Sequence, residues 1–488
     1  MSDPLIQARL DKLRALRDKG VDPYPARVPS VESIGSVIER FDSLEAEEHS
    51  GEELSVAGRQ MAVRGMGKAS FLDLRDGTGK IQIHARADRL GDERYDALIG
   101  TDIGDILAVR GEVFRTKRGE LTIAAEDWTL LAKSLRPLPE KWHGLKDVET
   151  RYRHRSLDLI SNDDVRDTFV KRSKILSAIR RTLDDDGFLE VENPVLQTVA
   201  SGGYARPFVT HHNTLDADLY LRIALELYLK RLLVGGLDRV YEMSKCFRNE
   251  GVSTEHNPEF TMLEIYQAYA DYEDMMRLVE RLIYAGLEVT GQGKQVEFKG
   301  RTIDLDLPWK RIGMGDAVAQ AIGIDPTSLR TDDAVALAVS KGIDPRPASP
   351  GEAVEALFER FVEPNLIQPT FIIDYPVEIS PLAKRKPGDN ELVERFELFI
   401  GGIEMANAFT ELNDPVDQRA RFEEQERLRG EGNEEAQPLD EDFLYAIEHG
   451  MPPTGGMGIG VDRLIMLLTG SDSIRDVILF PAMRRKRT

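Results

Sequence analysis

Apolar positions along the chain fall into two rhythms, and the change from one to the other divides it. At helical spacing, Ile6, Leu10, Leu13 and Leu16 predict an amphipathic helix over 6–19, with Gly20 as its cap. Val165, Phe169, Ile175, Ile179 and Leu183 predict a long helix over 163–186, and residues 221–233 read as another, ended by Gly235-Gly236. Between them the rhythm is short. Strands are predicted at 54–66, 69–75, 79–84, 105–114 and 119–125, with a helix near 92–100 and turns at Asp76-Gly77-Thr78-Gly79 and Lys117-Arg118-Gly119. Five strands with a helix between the third and fourth describe an OB-type barrel, whose sheet face takes single-stranded oligonucleotides. Two-residue alternation returns at each end of 240–266, at 395–400 and at 404–411, the last placing Glu404, Ala406, Ala408 and Thr410 on one face. A strand over 187–194 follows the long helix and stops at Pro194.

Organisation follows from these elements. Residues 1–53 are expected to hold a basic helix and an acidic connector, 54–134 the barrel, 135–160 a linker opened by Leu135-Arg136-Pro137-Leu138-Pro139, and 161–488 a second domain. The fold class is α+β: a barrel followed by a mixed, mostly antiparallel sheet flanked by helices. Residues 267–396 say least; helices at 271–290 and 350–362 and a strand at 370–374 fit an insertion packed beside that sheet. The helix over 6–19 carries Arg9, Lys12, Arg14, Arg17 and Lys19, which suit a solvated face and a phosphate-facing one equally; the Lys-, Arg- and His-rich run 141–155 reads as a nucleic-acid contact or a solvated turn.

Composition narrows the class. Hydrophobic content of 41% and charged content of 31% describe a globular chain without a long apolar run or an apolar N-terminal signal core, so no membrane partner and a cytoplasmic location are expected. The single Cys246 excludes an internal disulfide and reads as a small buried hydrophobe. A formal net charge of -21 argues against a general nucleic-acid coat and leaves room for one RNA read through local basic patches.

The chemistry concentrates in a few stretches. Arg248, Glu250, His256, Asn257, Glu259, Phe260 and Glu264 crowd the base of a loop too long for a tight hairpin, and an Arg, an aromatic and several carboxylates there suit an anion and a flat ring. Glu397 and Glu404 fall on neighbouring strands and repel unless a cation lies between them; hard oxygen donors beside phosphate call for Mg²⁺. Gly455-Gly456-Met457-Gly458-Ile459-Gly460 runs into a helix bearing Arg463, with neither a Walker loop nor a GxGxxG spacing. Glu226 sits among leucines and needs a cationic partner if it is buried. Gly202 and Gly203 allow backbone to approach a ligand. Phe71 and Gln82, on adjacent barrel strands, are able to stack on and hydrogen-bond an unstacked base, with Arg64 and Glu120 in support; packing or plain surface is the competing account.

Phe247-Arg248-Asn249-Glu250, then His256-Asn257-Pro258-Glu259-Phe260-Thr261-Met262-Leu263-Glu264, and finally Gly455–Arg463 resemble, in order, the second and third signature motifs of class II aminoacyl-tRNA synthetases. The helix and strand ending at Pro194 resemble the first. With the stretches 205–213 and 407–414, the chain is similar to the bacterial-type lysyl-tRNA synthetase family of subclass IIb over nearly its whole length. That resemblance implies ATP-dependent formation of lysyl-adenylate, transfer to tRNA(Lys), a homodimer, and no covalent enzyme intermediate. It implies that Arg248 holds the lysine carboxylate and α-phosphate, that Phe260 stacks on adenine and Glu250 takes its amino group, and that His256, Asn257 and Arg463 serve the outer phosphates. Glu397 and Glu404 would hold magnesium. Gly202, Glu226, Arg248, Glu264, Tyr266, Asn407, Phe409 and Glu411 would form the lysine pocket, in which an excess of carboxylates selects a cationic side chain. Arg64, Phe71, Gln82 and Glu120 would read the anticodon. Some family members carry Gly at positions 406 and 408 and Pro at 225, where this chain has Ala, Ala and Leu. Three readings compete. An aspartyl- or asparaginyl-tRNA synthetase would need a cation where Glu411 stands, a protein-lysylating paralogue would have no use for the barrel, and a non-catalytic tRNA-binding relative would have lost the Arg248, Glu397, Glu404 and Arg463 set.

Overall fold

The computed structural model describes the chain except residues 1–2, 29, 140–144, 204, 432–435 and 485–488. It divides into two compact units, 1–146 and 147–488.

In the first unit, helix α1 (Pro4–Asp18) is capped by the Asp3 carboxylate, which accepts from the Leu5 N–H, and ends before Gly20 at φ 72°. Two of its basic residues work inside the unit. Arg9 donates to the Ile103, Ser134 and Arg136 carbonyls, and Lys12 pairs with Asp102 at 2.7 Å. Strands β1 (His49–Met66), β2 (Ala69–Arg75), β3 (Lys80–Arg86), β4 (Ile106–Arg115) and β5 (Leu121–Ala132) close a barrel in the order β1-β2-β3-β5-β4. The first strand starts earlier than its pattern predicts. Register shifts between His49 and Glu53 and between Gln60 and Ala62 bend it so that it pairs with β4 and then β2. Leu72, Leu74, Ile81 and Ile83 point inward, which turns Phe71, Gln82 and His84 to the outer face.

The second unit is built on a nine-stranded sheet. Along it run β9 (Lys310–Gly313), β10 (Thr370–Pro376), β11 (Asp389–Ile400), β12 (Ile403–Thr410), β13 (Thr454–Gly460), β8 (Glu259–Ala268), β7 (Arg239–Phe247) and β6 (Leu189–Glu190), with Arg385–Lys386 pairing onto β11. Both edge pairs are parallel and the interior pairs antiparallel. Helices α2 (Asp163–Asp185), α4 (Tyr272–Glu288) and α6 (Val461–Thr469) share a core with one face of the sheet, through Ile175, Ile179, Leu282, Ile283, Leu464 and Leu468 against Leu263, Ile265, Ala406 and Ala408. The other face is left for the site.

Several expectations are corrected. The strand over 187–194 is only two residues long, because Asn193 is drawn off to donate to Glu242. The helix predicted over 221–233 begins at Glu226 (α3, Glu226–Val234): Leu221 ends a strand, and Arg222 is buried between strands on Glu242 at 2.7 Å. The segment 267–396 is not simply an insertion, since it supplies β9, β10 and most of β11; its helix α4 packs on one face of the sheet, and the helical stretch around α5 (Pro350–Phe361) packs against β10 and β11. Of the basic run 141–155, residues 141–144 lie outside the described residues. Arg155 is buried, pairs with Asp158 at 2.6 Å and donates to the Arg475, Ile478 and Leu479 carbonyls, so it fastens the end of the chain instead of facing nucleic acid.

Candidate active site

The floor of the site is a strand that turns glycines toward it and its side chains Met457 and Ile459 into the core. On β13, Gly456 lies between Tyr266 of β8 and Phe409 of β12, and Gly458 lies between Glu264 and Asn407. Each row therefore has a gap at its centre, and the flanking side chains rise as two walls. A Cβ on Gly456 would fall 1.9 Å from Glu411 Oε1 and 2.5 Å from the Tyr266 ring. The trough opens into a cavity of about 320 Å³. It is lined by Gly202, Glu226, Arg248, Glu250, His256, Asn257, Phe260, Glu264, Tyr266, Glu397, Glu404, Asn407, Phe409, Glu411 and Arg463, which brings together every residue that sequence reasoning assigned to ATP, metal and amino acid.

At the buried end are three carboxylates. Glu264 accepts from the Leu225 N–H at 2.9 Å and from the Tyr266 hydroxyl at 3.0 Å. Burial, reinforced by nearby Glu226, pushes its pKa up to about 7 against those two hydrogen bonds. The Leu225 donor is one that a proline at that position lacks. Glu226 opens α3, and Lys230 one turn later reaches back to it at 2.5 Å and also pairs with Glu411. Glu226 thus has the cationic partner its burial requires. Desolvation pushes Glu411 upward while the Lys230 ammonium pulls it down. Burial alone would lower Lys230, but Glu226 and Glu411 outweigh it and keep it charged.

At the wider end, cations meet carboxylates at partly exposed positions. The Arg248 guanidinium lies 5.2 Å from the centre of the Phe260 ring, and its Nε has no hydrogen-bond partner among the described residues. Arg463 donates to the Glu404 carbonyl at 2.9 Å and pairs with the Glu404 carboxylate at 3.2 Å, with His256 Nε2 at 3.5 Å. Asp462 takes the Thr261 N–H at 2.7 Å and pairs with Arg172 at 2.7 Å, fixing the start of α6 and with it Arg463. Asn257 lines the cavity, yet its amide is engaged at both ends, on the Glu259 carbonyl and the Ala482 N–H. It holds the loop to the strand and to the segment around Ala482.

Strict alternation would turn Glu404 away from Asn407 and Glu411. A bulge corrects this. Leu398 pairs with Ala406 but Phe399 with Glu404, so Met405 is extra, and Glu404 returns to the cavity face beside Glu397. Glu397 is held above its ordinary range, first by burial and then by repulsion from Glu404, with Arg395 opposing both. Among the described residues no group of three His, Cys, Asp or Glu could enclose a metal ion. Two facing carboxylates do fit a hard divalent cation that draws its remaining ligands from phosphate oxygens and water. Ala406 and Ala408 face the helix core, so their methyl groups lie away from the cavity.

Two cations escaped sequence reasoning. Lys230 carried a faint signal, a Glu and a Lys one turn apart on a helix, a spacing that usually marks an exposed pair. Arg395 sits in a charged stretch of a strand and carried none. It donates to Asn407 Oδ1 at 3.2 Å and Ser380 Oγ at 3.0 Å, and pairs with Glu397 at 2.6 Å. It also lies 4.4 Å from the Tyr375 ring centre and 5.6 Å from that of Phe409. Cys246 is buried, and desolvation pushes its thiol up to about 12, which makes it inert.

On the barrel, Arg64, Gln82 and Glu120 line one shallow groove, where Arg64 pairs with Asp73 at 2.7 Å and Gln82 accepts from Thr122 at 3.1 Å. Phe71 pairs with His84 in register and stacks on it, with ring centres 4.6 Å apart and planes 11° apart. Phe114 and His49 extend this aromatic surface.

Comparison with known proteins agrees with this geometry. Residues 147–484 match the family model described as tRNA synthetases class II (D, K and N), and residues 54–131 match the OB-fold nucleic acid binding domain. The lysine–tRNA ligase of Moorella thermoacetica is 56% identical over 485 residues, covering 99% of this chain and 98% of that protein. That of Bacillus subtilis is 52% identical over 486 residues, covering 99% and 97%, and that of Enterococcus faecalis is 53% identical over 480 residues, covering 98% and 96%. A glycine-floored trough with acids at one end and arginines at the other, preceded by an OB-fold barrel, together with identity above half along nearly the full length, places the chain in the class II tRNA synthetases, within the lysine–tRNA ligase family.

Proposed function

We propose that the chain activates L-lysine with ATP and transfers it to tRNA(Lys). The observation that carries the substrate is the buried end of the trough, where Glu226, Glu264 and Glu411 meet one internal cation and leave an excess of negative charge for an ammonium group. Neither the anionic side chain of aspartate nor the neutral amide of asparagine would answer that excess charge, which argues against the aspartyl and asparaginyl readings. Phe260 offers its ring to adenine, Glu250 its carboxylate to the adenine amino group, and Arg248 bridges the lysine carboxylate and the α-phosphate. The lysine carboxylate attacks the α-phosphorus, pyrophosphate leaves, and the terminal ribose hydroxyl of the tRNA then displaces AMP from lysyl-adenylate. Positioning and charge neutralisation suffice, and no side chain forms a bond to substrate. Glu397 and Glu404 would hold Mg²⁺, whose charge offsets that of the phosphates when bound.

The aromatic and polar outer face of the barrel supports anticodon reading by Phe71, Gln82, Arg64 and Glu120. Edge strand β6 carries a half-exposed Leu189 and has β7 as its only strand partner among the described residues; an edge of that kind supports a homodimer contact. No helix among the described residues is long and apolar enough to cross a membrane, and with a translation substrate this supports work in the cytoplasm. Amino-acid-dependent ATP–pyrophosphate exchange across the twenty amino acids tests the reading. Lysine alone should support rapid exchange; exchange driven equally by aspartate or asparagine would overturn it.

A further inference from the structure

Lys230 is buried behind the trough and touches no cavity surface. It does not line the cavity, it has no exposed surface, and its ammonium lies behind two acids that do line it. Those acids come from distant parts of the fold: Glu226 from the first turn of α3, Glu411 from just beyond β12. Each gives Lys230 one oxygen, Oε1 of Glu226 and Oε2 of Glu411. Glu411 meets Lys230 as an ion pair through Oε2; neither of its oxygens has a hydrogen-bond partner among the described residues, and Oε1 lies against the bare face of Gly456. Glu264 differs, with both oxygens already taken by Leu225 and Tyr266.

We propose that Lys230 is a positioning residue of the amino-acid pocket: it clasps Glu226 and Glu411 together and turns their remaining oxygens toward the ammonium group of the substrate. The proposal rests on the reading that this pocket takes lysine. Without an internal cation, three carboxylates in a dry pocket would relieve their repulsion by taking up a proton, and a protonated acid is a poor ligand for an ammonium ion. Lys230 removes that repulsion from behind, without occupying the space the substrate needs. The titratable groups whose charges act with it are Glu226 and Glu411, which it touches, and Glu264 beside them.

Two variants test this, Lys230→Met and Lys230→Met with Glu226→Gln, assayed by lysine-dependent ATP–pyrophosphate exchange over roughly pH 6.5 to 8.5 with melting temperatures alongside. Lys230→Met should raise the lysine KM at least about tenfold near neutral pH with the ATP KM nearly unchanged, and the loss should shrink as pH rises and the acids ionise. The double variant removes the charge imbalance but leaves Glu411 unclasped. Its melting temperature and pH profile should return toward wild type while its lysine KM stays well above that of Glu226→Gln alone. If the single Lys230 variant does not fold, the double variant measured against Glu226→Gln decides. A lysine KM in the double variant equal to that of Glu226→Gln alone would overturn the proposal by reducing Lys230 to a neutralising role. An unchanged lysine KM in Lys230→Met, or equal losses for lysine and ATP, would overturn it as well. Failure of the wild type itself to use lysine would instead overturn the substrate reading.

Discussion

The two ends of the trough use the same residue types to opposite effect. At the wide end, Arg463 and Glu404 pair at 3.2 Å with their side chains 23% and 38% exposed, so water screens them and both stay free to change partners. At the closed end, Lys230 and Glu411 are fully buried, and each fixes the charge of the other. Burial therefore decides what a carboxylate does here. Near water it is a ligand to be exchanged; away from water it is a permanent part of a field that selects one cation.

That contrast can be broken. The largest effect is expected from Glu411→Gln, which takes one charge from the closed end. Losing a buried counter-ion costs about 2–5 kcal/mol, so the lysine KM should rise sharply while the ATP KM moves little. Exchange assays with norleucine, which lacks the side-chain ammonium group, should show a smaller loss. Equal losses for the two ligands would mean that Glu411 supports the fold and does not read charge.

Arg248→Ala acts where the ends meet. Removing a charge-assisted donor from the reacting phosphate should cost about 3 kcal/mol of transition-state stabilisation, read as kcat/KM in exchange. Near-wild-type exchange would remove Arg248 from the reaction. Phe71→Ala lies outside the trough and should cost about 1–3 kcal/mol through a lost base stack. Aminoacylation should weaken and adenylate formation should not. A parallel fall in both would make the barrel a support for catalysis.

Much of this was legible before the fold was known. Alternation alone put Glu264, Tyr266 and Asn407 on strands, and the glycines of 455–460 announced a place where backbone meets ligand. What escaped depended on partners distant in sequence. A register shift between Leu398 and Phe399 returns Glu404 to the cavity, and strict alternation has no way to count the extra residue. Lys230 looks like half of a surface pair until the sheet brings Glu411 across to it. Arg155 read as part of a basic run and Arg222 as part of a helix, yet both are buried on carboxylates and carbonyls that tie distant segments together. Residues 310–313 are too short a stretch to announce a strand by alternation, and their place in the sheet is set by pairing with β10.

The account turns on a closed end in which the acids clasped by Lys230 stay charged while Glu264, which has no cation of its own, holds a proton until one arrives. With Glu264 pushed up to about 7, a share of the empty pockets carries that proton near neutral pH. Raising the pH through that range removes it, so lysine should bind more tightly as pH rises, by less than about tenfold per unit. Calorimetry of lysine binding in buffers of different ionisation enthalpy reads this directly. The account predicts proton release near pH 7, fading as the pH approaches about 9, and no such release with norleucine. Lysine binding whose heat is the same in every buffer near pH 7, or that takes up protons, would contradict it.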